Sequence, residues 1–190
     1  MNGTEQVHRR HDQFVDVAIK RATERLSLSL PSLRSVARDC GVTPTAVYRY
    51  FPSQSSLNRA ILVTIDSSFI TAVAGVDDPR RTPLRRLQVF ADAYIDWGLA
   101  NPGLYQLRFE SADQLGKDFI RTDAADDLLA HVDTLIDAVD PRLEVCAEDL
   151  WLAVHGVVSL HIHKPERPWP VAPHQQVQRF FHLWGLRDEG

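Results

Sequence analysis

Residues 32–51, SLRSVARDCGVTPTAVYRYF, decide the fold of this chain. Ser32 can cap a short helix over residues 33–40, and Gly41 can end that helix because glycine readily adopts left-handed backbone conformations. Pro44 suits the first turn of a second short helix, where its missing N–H costs nothing. Two short helices joined by a glycine-containing turn form a helix-turn-helix, whose second helix enters the major groove of DNA.

The two faces of this helix pair differ in chemistry. The apolar residues would pack on a core, and they are Leu33, Val36, Ala37, Val42 and Val47. Thr43 can cap the second helix. Its outward residues are Pro44, Thr45, Tyr48 and Arg49. Arginine and threonine can read base edges, and a tyrosine hydroxyl suits a phosphate oxygen. A plain helical hairpin within a core has the same geometry and stays an alternative at this point.

The rest of the chain is also predicted to be helical. It has no Asn-Gly or Asp-Gly hairpin and no sustained alternation of apolar and polar residues. Leu57, Ile61, Ile65 and Phe69 form a stripe at four-residue spacing on one long helix. Helices are expected over residues 9–26, 33–40, 44–50, 53–73, 83–100, 104–109, 118–139 and 143–161, with a last one around 177–184. The expected fold class is all-α with about nine helices.

Charge is unevenly distributed along the 190 residues, whose formal net charge is −4. Residues 1–65 hold nine Lys and Arg against five Asp and Glu, a balance of +4, so the remaining residues carry −8. A basic N-terminal part followed by an acidic remainder indicates that the N-terminal part binds phosphate groups and the remainder does not.

Composition argues against several other classes of protein. No uninterrupted apolar run is long enough to cross a bilayer, and no apolar segment follows Arg9 and Arg10 as it would in a secretion signal. The two cysteines, Cys40 and Cys146, lie far apart and in no metal-ligand spacing, which is typical of a reducing compartment. We therefore expect a cytoplasmic protein with no membrane partner.

Eight histidines raise the alternatives of a metal site and an enzyme. His161 and His163 are two residues apart, so they point to different sides of a helix, and neither has a histidine four residues before it. No phosphate-cradling glycine loop, nucleophile elbow or supported pair of catalytic carboxylates can be found. We expect no catalytic residue, no metal and no cofactor.

One known family shares the order of residues in this stretch. The shared pattern is Leu33-Arg34-x-Val36-Ala37-x-x-Cys40-Gly41-Val42-Thr43-x-x-x-Val47-Tyr48-x-Tyr50-Phe51-Pro52-Ser53. With its preceding amphipathic helix, it resembles the N-terminal domain of the TetR/AcrR family of transcriptional regulators over residues 33–57. The resemblance implies that Tyr48 and Tyr50 grip phosphates while Arg34, Pro44 and Thr45 face bases.

Two positions depart from the family pattern. The family usually has a phosphate-contacting Lys where Gln54 stands, which implies a weaker phosphate grip here, and it usually has Gly near Ser27. The residues expected to contact DNA are therefore Arg34, Thr43, Pro44, Thr45, Tyr48, Arg49, Tyr50 and Gln54.

The resemblance also implies two domains, with DNA binding by residues 1–52 and ligand binding and dimerisation by residues 53–190. Leu150-Trp151-x-x-x-His155-Gly156 is similar to the Trp-His-Gly signature of one C-terminal subgroup, and these residues serve either packing or ligand contact. The expected ligand pocket is lined by Phe69, Phe90, Tyr94, Trp97, Tyr105, Phe109, Trp151 and His155. The expected dimer interface comprises Leu150, Val154, Val157, Val177, Phe180, Phe181 and Trp184.

The function expected from the sequence is that of a ligand-responsive transcriptional regulator, by the family's commoner outcome a repressor. Its partners would be palindromic double-stranded operator DNA, bound by a homodimer, and a small-molecule effector. One alternative is a helical ligand-binding or interaction module that kept the fold and lost DNA binding. Gln54, at a position where the family usually has a phosphate-contacting Lys, suggests this alternative. An enzyme is the other alternative.

Overall fold

A computed structural model of the chain describes residues 3–24, 30–110 and 123–187. These residues form nine helices and no strand, which confirms the predicted all-α class. The helices are α1 (Gly3–Glu24), α2 (Leu33–Asp39), α3 (Pro44–Tyr48), α4 (Gln54–Ala74), α5 (Pro83–Ala100), α6 (Pro102–Phe109), α7 (Asp123–Val139), α8 (Ala147–His163) and α9 (Pro173–Leu183).

Several helices, among them α1 and α8, begin at residues other than those expected. Helix α1 starts six residues before the expected residue 9, because its first turns are helical without burying any described side chain and so carry no apolar pattern. Helix α8 starts four residues after the expected residue 143, because the Asp149 carboxylate accepts a 3.0 Å hydrogen bond from the backbone N–H of Cys146. Residues 25–26 of the first predicted helix and residues 118–122 of the seventh lie outside the described residues.

The chain divides into two compact units, Met1–Ser67 with Pro102–Ile120, and Ser68–Asn101 with Arg121–Gly190. This division differs from the expected boundary at residue 52. The first unit gains part of α4 and the whole of α6 because Arg108 of α6 pairs with Asp66 of α4. Helix α6 also lies against α1, where a Cβ added to Gly103 would come within 2.9 Å of the Thr23 Cβ.

The core of the first unit is built from the amphipathic faces of its helices. Helix α1 buries Phe14, Val15, Ala18 and Ala22, and the first part of α4 buries Leu57, Ile61 and Ile65. Phe51, after α3, is 1% exposed and lies 4.7 Å from the ring of His11. The helix-turn-helix thus rests on a packed base that holds its two short helices in place.

The core of the second unit joins the end of α4 to helices α5, α7, α8 and α9. Phe69 meets Tyr94 and Trp97 edge to face, with ring centroids 5.1 and 5.2 Å apart. Buried residues of the later helices include Val132, Leu135, Ile136, Leu150, Val154, Val158, Val177 and Phe181. Apolar side chains spaced by three or four residues therefore form a core within a single chain.

Helix α4 is, among the described residues, the one helix with the length and apolar composition of a membrane span. No such segment was expected from the sequence. The stripe of Leu57, Ile61, Ile65 and Phe69 is at most 3% exposed, as expected of a core helix. The same helix carries the charged residues Arg59 and Asp66.

Candidate nucleic-acid interface

The start of α2 is fixed by the serine predicted to cap it. The Ser32 Oγ accepts a 3.2 Å hydrogen bond from the backbone N–H of Ser35, and the Ser35 hydroxyl donates to the Ser32 carbonyl at 2.7 Å. This side-chain cap partners one of the N–H groups that the first turn of a helix leaves free. The predicted cap at Ser32 is therefore confirmed.

The turn between α2 and α3 follows from Gly41, whose φ is +65°. A side chain at that φ would bring Cβ close to the following carbonyl, which is why glycine is favoured. The backbone N–H groups of Gly41 and Val42 donate to the carbonyls of Arg38 and Ala37 at 3.1 and 2.9 Å. The predicted glycine-terminated turn is confirmed.

Helix α3 begins at Pro44, as expected, but Thr43 caps it only through its backbone. Thr43 has extended backbone angles at the N-cap position, and its side chain makes no capping hydrogen bond. The expectation of a side-chain cap at Thr43 is therefore wrong. The threonine is exposed, so its hydroxyl lies on the surface beside α3.

The predicted inward face is confirmed in detail. Leu33 is 4% exposed, Ala37 is 1% exposed, and Val36 and Val47 are fully buried. Val42, expected to fill the turn, is half-buried. The two short helices consequently pack through their apolar sides and leave their polar sides outward.

Six of the residues expected to contact DNA are exposed in the structure. They are Arg34, Thr43, Pro44, Thr45, Tyr48 and Arg49, with Tyr48 45% exposed. Tyr50 is half-buried, with its ring edge-on to Phe14 at a centroid distance of 5.4 Å. Exposure makes these side chains available to DNA, and the contacts themselves stay a prediction.

Gln54 departs from its expected place on the DNA-contacting face. Its Oε1 accepts from the Leu33 N–H at 3.1 Å, and its Nε2 donates to the Pro31 carbonyl at 2.9 Å and to Asn58 Oδ1 at 2.8 Å. A phosphate oxygen needs a donor, and both N–H bonds of a glutamine amide are used here. Gln54 therefore braces α2 against α4, and its assignment as a phosphate contact is corrected.

Two further contacts brace the helix-turn-helix from α1, and sequence reasoning missed both. Arg21 of α1 donates a hydrogen bond to Asp39 at the end of α2. The ring of His11 lies 4.7 Å from that of Phe51. Nothing in the local spacing of these residues predicts either pair, because each joins distant parts of the sequence.

The Cys40 thiol lies at the end of α2, next to the glycine turn. Its pKa is raised above the ordinary value, first because burial disfavours the thiolate and second because Asp39 is close. A thiol held in its neutral form is a weak nucleophile. Cys40 is half-buried and acts there as part of the structure.

The residues expected to line one ligand pocket lie in several places. Phe69, Tyr94 and Trp97 are buried against one another, and the Trp97 indole N–H donates to the Ser68 hydroxyl at 3.3 Å. Tyr105 and Phe109 belong to α6 in the first unit, with ring centroids 4.7 Å apart. Phe69, Tyr94, Trp97 and Tyr105 belong to the cores of their units and Phe109 is half-buried, so a pocket lined by all five residues stays a prediction.

The other three expected pocket residues also lie apart. Trp151 is 39% exposed on α8, and His155, one turn further, is half-buried. Phe90 of α5 lines a cavity of about 50 Å³ in the second unit, together with residues of α4 and α7. Among the eight residues predicted to line a ligand pocket, Phe90 is the one that lines this cavity.

The expected dimer interface is corrected by burial. Leu150, Val154, Val157, Val177 and Phe181 are at most 7% exposed within one chain, so they pack inside it and cannot reach a partner. Phe180 and Trp184 are half-buried and stacked, with ring centroids 5.7 Å apart. The large apolar residues exposed on these helices are instead Trp151, Leu152, Leu160 and Leu183.

The two histidines weighed as metal ligands are held by their own helix. The Nδ1 atoms of His161 and His163 lie 2.7 and 2.8 Å from the carbonyls of Val157 and Ser159. The ring of His161 also stacks on Trp169 at 4.5 Å. In the part of the chain that the structure describes, no three His, Cys, Asp or Glu side chains come together as a metal site would need.

Comparison with known proteins agrees with this architecture. A family model described as the tetracyclin repressor-like C-terminal domain matches residues 87–182, just over half of the chain. A tetR-family regulatory protein from Rhodococcus RHA1 has 19% identity and a TM-score of 0.71, over 91% of this chain and 93% of that one. The fatty acid degradation regulator FadR from Bacillus halodurans has 14% identity and a TM-score of 0.69, over 95% and 97%.

Among sequence relatives, the nucleoid occlusion factor SlmA of Haemophilus influenzae is 25% identical over 112 residues, which are 56% of this chain and 51% of that protein. The chain spans about half the length of the first such relatives. The helical fold with its exposed helix-turn-helix is that of the TetR-like regulators in these comparisons. With the family match over half of its length, the chain belongs to the TetR family.

The Trp-His-Gly motif lies on α8 inside the matched residues. In a packing role, its glycine would allow another helix to approach closely. A Cβ added to Gly156 would meet nothing within 4 Å, so no described segment of this chain approaches there. The subgroup assignment stays a prediction, and the packing role of Gly156 within one chain is not supported.

Proposed function

We propose that this TetR-family regulator is a ligand-responsive repressor that binds palindromic operator DNA as a homodimer in the cytoplasm and has no enzymatic activity. The observation that carries the proposal is the two-sided α3. Val47 is fully buried beneath it, while Thr45, Tyr48 and Arg49 are exposed above. Such a helix can enter a major groove without losing its packing.

Electrostatics supports the same assignment. Arg34 and Arg49 are exposed on the helix-turn-helix, and residues 1–65 carry a balance of +4. Neutralising phosphates releases counterions, which gives a basic surface affinity for any DNA and a strong dependence on salt. The threonine and arginine side chains then add contacts to base edges.

A homodimer follows from how helix-turn-helix proteins read DNA, since two recognition helices bind half-sites about one helical turn apart. The exposed residues Leu152 and Leu160 and the half-buried Gly156 between them are spaced by four on α8 and form one stripe. Leu152 is 67% and Leu160 is 48% exposed, and Gly156 leaves room for a close helix. We therefore place the partner on this stripe, together with Leu183 of α9.

Ligand response would act through α4, which contributes residues to both compact units. A ligand bound in the second unit that shifts this helix would change the spacing of the two recognition helices. The ligand must bind the two spacings unequally, because a ligand with equal affinity for both states changes nothing. Release of DNA on ligand binding gives repression that the ligand relieves.

Binding to DNA taken from upstream of the chain's own gene tests the proposal. We expect a dissociation constant of roughly 10⁻⁸ M or lower at physiological salt, at least about a thousandfold tighter than for unrelated DNA of equal length. Affinity should fall steeply between about 50 and 200 mM salt. Footprinting should show two half-sites about 10 base pairs apart, centre to centre, or a multiple of that spacing.

Two outcomes would overturn the proposal. If the folded chain shows no sequence-selective, salt-sensitive binding to any DNA selected from a random pool, it is a ligand-binding or interaction module with the same fold. If the purified chain turns over a small molecule, the exclusion of enzymatic activity is wrong.

A further inference from the structure

A small cavity in the second unit lies against the end of α4, helix α5 and helix α7. Its volume is about 50 Å³. Most of its wall is apolar, and that part comprises Val73, Val76, Phe90, Leu128 and Leu135. Three polar residues complete the lining: Asp77 after α4, Arg86 on α5 and His131 on α7.

These three residues form one hydrogen-bonded cluster. Arg86 donates through Nε and Nη2 to the two carboxylate oxygens of Asp77, at 2.6 and 2.7 Å. The Nε2 of His131 lies 3.0 Å from Asp77 Oδ2 and 3.3 Å from Arg86 Nη2. Planar bidentate pairing fixes the orientation of a guanidinium group. The cluster thus holds an oriented guanidinium group beside an apolar wall.

The hydrogen bonds of the cluster leave donors for a ligand. Nε and Nη2 of Arg86 are engaged, whereas no described residue accepts from its Nη1. Both oxygens of Asp77 are taken by Arg86 and His131, so the carboxylate has little left to offer a cation. The side chains of Arg86 and His131 are 17% and 40% exposed, which leaves them reachable from solvent.

Charge limits what the cluster can bind. The hydrogen bond from Arg86 lowers the pKa of Asp77, so the carboxylate stays ionised at neutral pH and balances the guanidinium. The Arg86–Asp77 pair is then neutral as a whole. A ligand with one negative charge suits this balance better than a dianionic phosphate.

Size limits the ligand further. One water molecule needs about 10–15 Å³ of cavity volume, so this cavity has room for about four water-sized groups. Drug-sized ligands need several hundred Å³. An apolar tail of about three or four carbons fills such a space.

We propose that this cavity binds a short-chain monocarboxylate, with its carboxylate on the Nη1 group of Arg86 and its tail among Val73, Phe90 and Leu128. The role of such a compound as effector rests on the proposed function, whereas its binding does not. The site replaces the aromatic pocket expected from the sequence and shares only Phe90 with it.

Isothermal titration of the full chain with three probes tests the site. Butyrate should bind saturably, and butyramide, which has the same shape without the charge, should bind at least about tenfold more weakly. Octanoate should also bind more weakly, because its tail exceeds the cavity. Equal binding of butyrate and butyramide would overturn the carboxylate assignment, and no binding of butyrate would overturn the site.

Two variants locate the binding. Leu128→Phe fills the cavity and should abolish butyrate binding, whereas Leu129→Phe, on the same helix outside the lining, should bind butyrate within about twofold of the unmodified chain. The double variant Arg86→Gln with Asp77→Asn removes both charges together and leaves no unpaired ion. It should bind butyrate and butyramide equally, and a retained preference for butyrate would overturn the role of Arg86.

Operator binding measured without any ligand separates the two proposals. A chain that binds operator and not butyrate disproves the site and leaves the proposed function standing. A chain that binds butyrate and no DNA disproves the proposed function and leaves the site standing.

Discussion

The side-chain oxygen of Gln54 accepts a 3.1 Å hydrogen bond from the backbone N–H of Leu33. Leu33 is the first residue of α2, where N–H groups have no partner within the helix. Through its amide nitrogen, Gln54 also donates to Pro31 and Asn58. One side chain therefore ties the beginning of α2 to the beginning of α4.

Gln54→Ala should loosen this tie without touching DNA. The Leu33 N–H and the Pro31 carbonyl would lose a partner in a half-buried place, which costs about 1–3 kcal/mol of stability. Hydrogen exchange should become fast at the Leu33 amide. Gln178→Ala, on the exposed face of α9, is the matched control and should leave that amide protected. Unchanged exchange at Leu33 in Gln54→Ala would contradict the assignment.

Gly41→Ala tests the turn between α2 and α3. Nothing lies within 4 Å of a Cβ added there, so the effect comes from the backbone at φ +65° alone. We expect a loss of about 1 kcal/mol in the free energy of unfolding, measured with urea. Gly41→Asn is the matched variant, because asparagine tolerates this conformation better, and it should lose less. Equal losses in the two variants would show that φ is not the cause.

The parts of this fold that could be predicted are those with a local cause. Ser32, Gly41 and Pro44 fix the ends of α2 and α3 through caps and backbone angles that depend on neighbouring residues only. The start of α8 was misplaced because the hydrogen bond from Cys146 to the Asp149 side chain, and not the apolar spacing, sets it.

Contacts between distant residues could not be predicted from the sequence. An apolar stripe such as Leu150 and Val154 shows that a face is covered, but not whether its own chain or a partner covers it. Arg86 and His131 are 45 residues apart, and Asp77 precedes both, so no periodicity links them. Gln54 looked like a departure from a DNA-contacting position, and its bonds to Pro31 and Leu33 became visible only in three dimensions.

Tyr48→Phe and Thr45→Ala should separate affinity from specificity. The exposed Tyr48 would lose one hydrogen bond to phosphate, so every operator should bind roughly three- to tenfold more weakly. Thr45→Ala should instead change the base preferred at one position in each half-site, by about 1–3 kcal/mol. Selection from a random pool followed by competition titrations measures both effects. If Thr45→Ala leaves the preference untouched, the outward face of α3 has been assigned wrongly.

Asp92 of α5 predicts a dependence of stability on pH. Its pKa is raised, chiefly by burial, although His174 and Arg85 oppose the effect. The folded chain therefore holds this proton to a higher pH than the unfolded chain does, so its contribution to stability falls as pH rises above the ordinary Asp value. Asp92→Asn removes this loss, and its melting temperature should exceed that of the unmodified chain at pH 7 by more than at pH 4.

The matched control for Asp92 is Asp137→Asn, an exposed position on α7. The difference in melting temperature between Asp137→Asn and the unmodified chain should be about the same at pH 4 and at pH 7. An Asp92→Asn chain that is less stable at pH 7 than the unmodified chain would mean that the ionised carboxylate is stabilising there, contrary to the raised pKa.

Leu160→Glu should convert the proposed homodimer to a monomer. Leu160 is 48% exposed within one chain, so a charge there leaves the core intact but opposes apolar contact with a second copy. Sedimentation velocity at micromolar concentration should show a dimer for the unmodified chain and a monomer for the variant, with unchanged helix content. Operator affinity should fall by roughly a hundredfold or more, because the two recognition helices are no longer linked.

Val63→Glu is the control for this charge, since Val63 is 45% exposed on α4 and belongs to the other compact unit. It should leave the dimer intact. If Leu160→Glu also stays dimeric, the partner covers another surface, because a C2 interface places the same charge on both copies. If the unmodified chain is itself monomeric at these concentrations and on DNA, a single recognition helix must account for all specificity. The proposals of a homodimer and of a palindromic operator would then both be wrong.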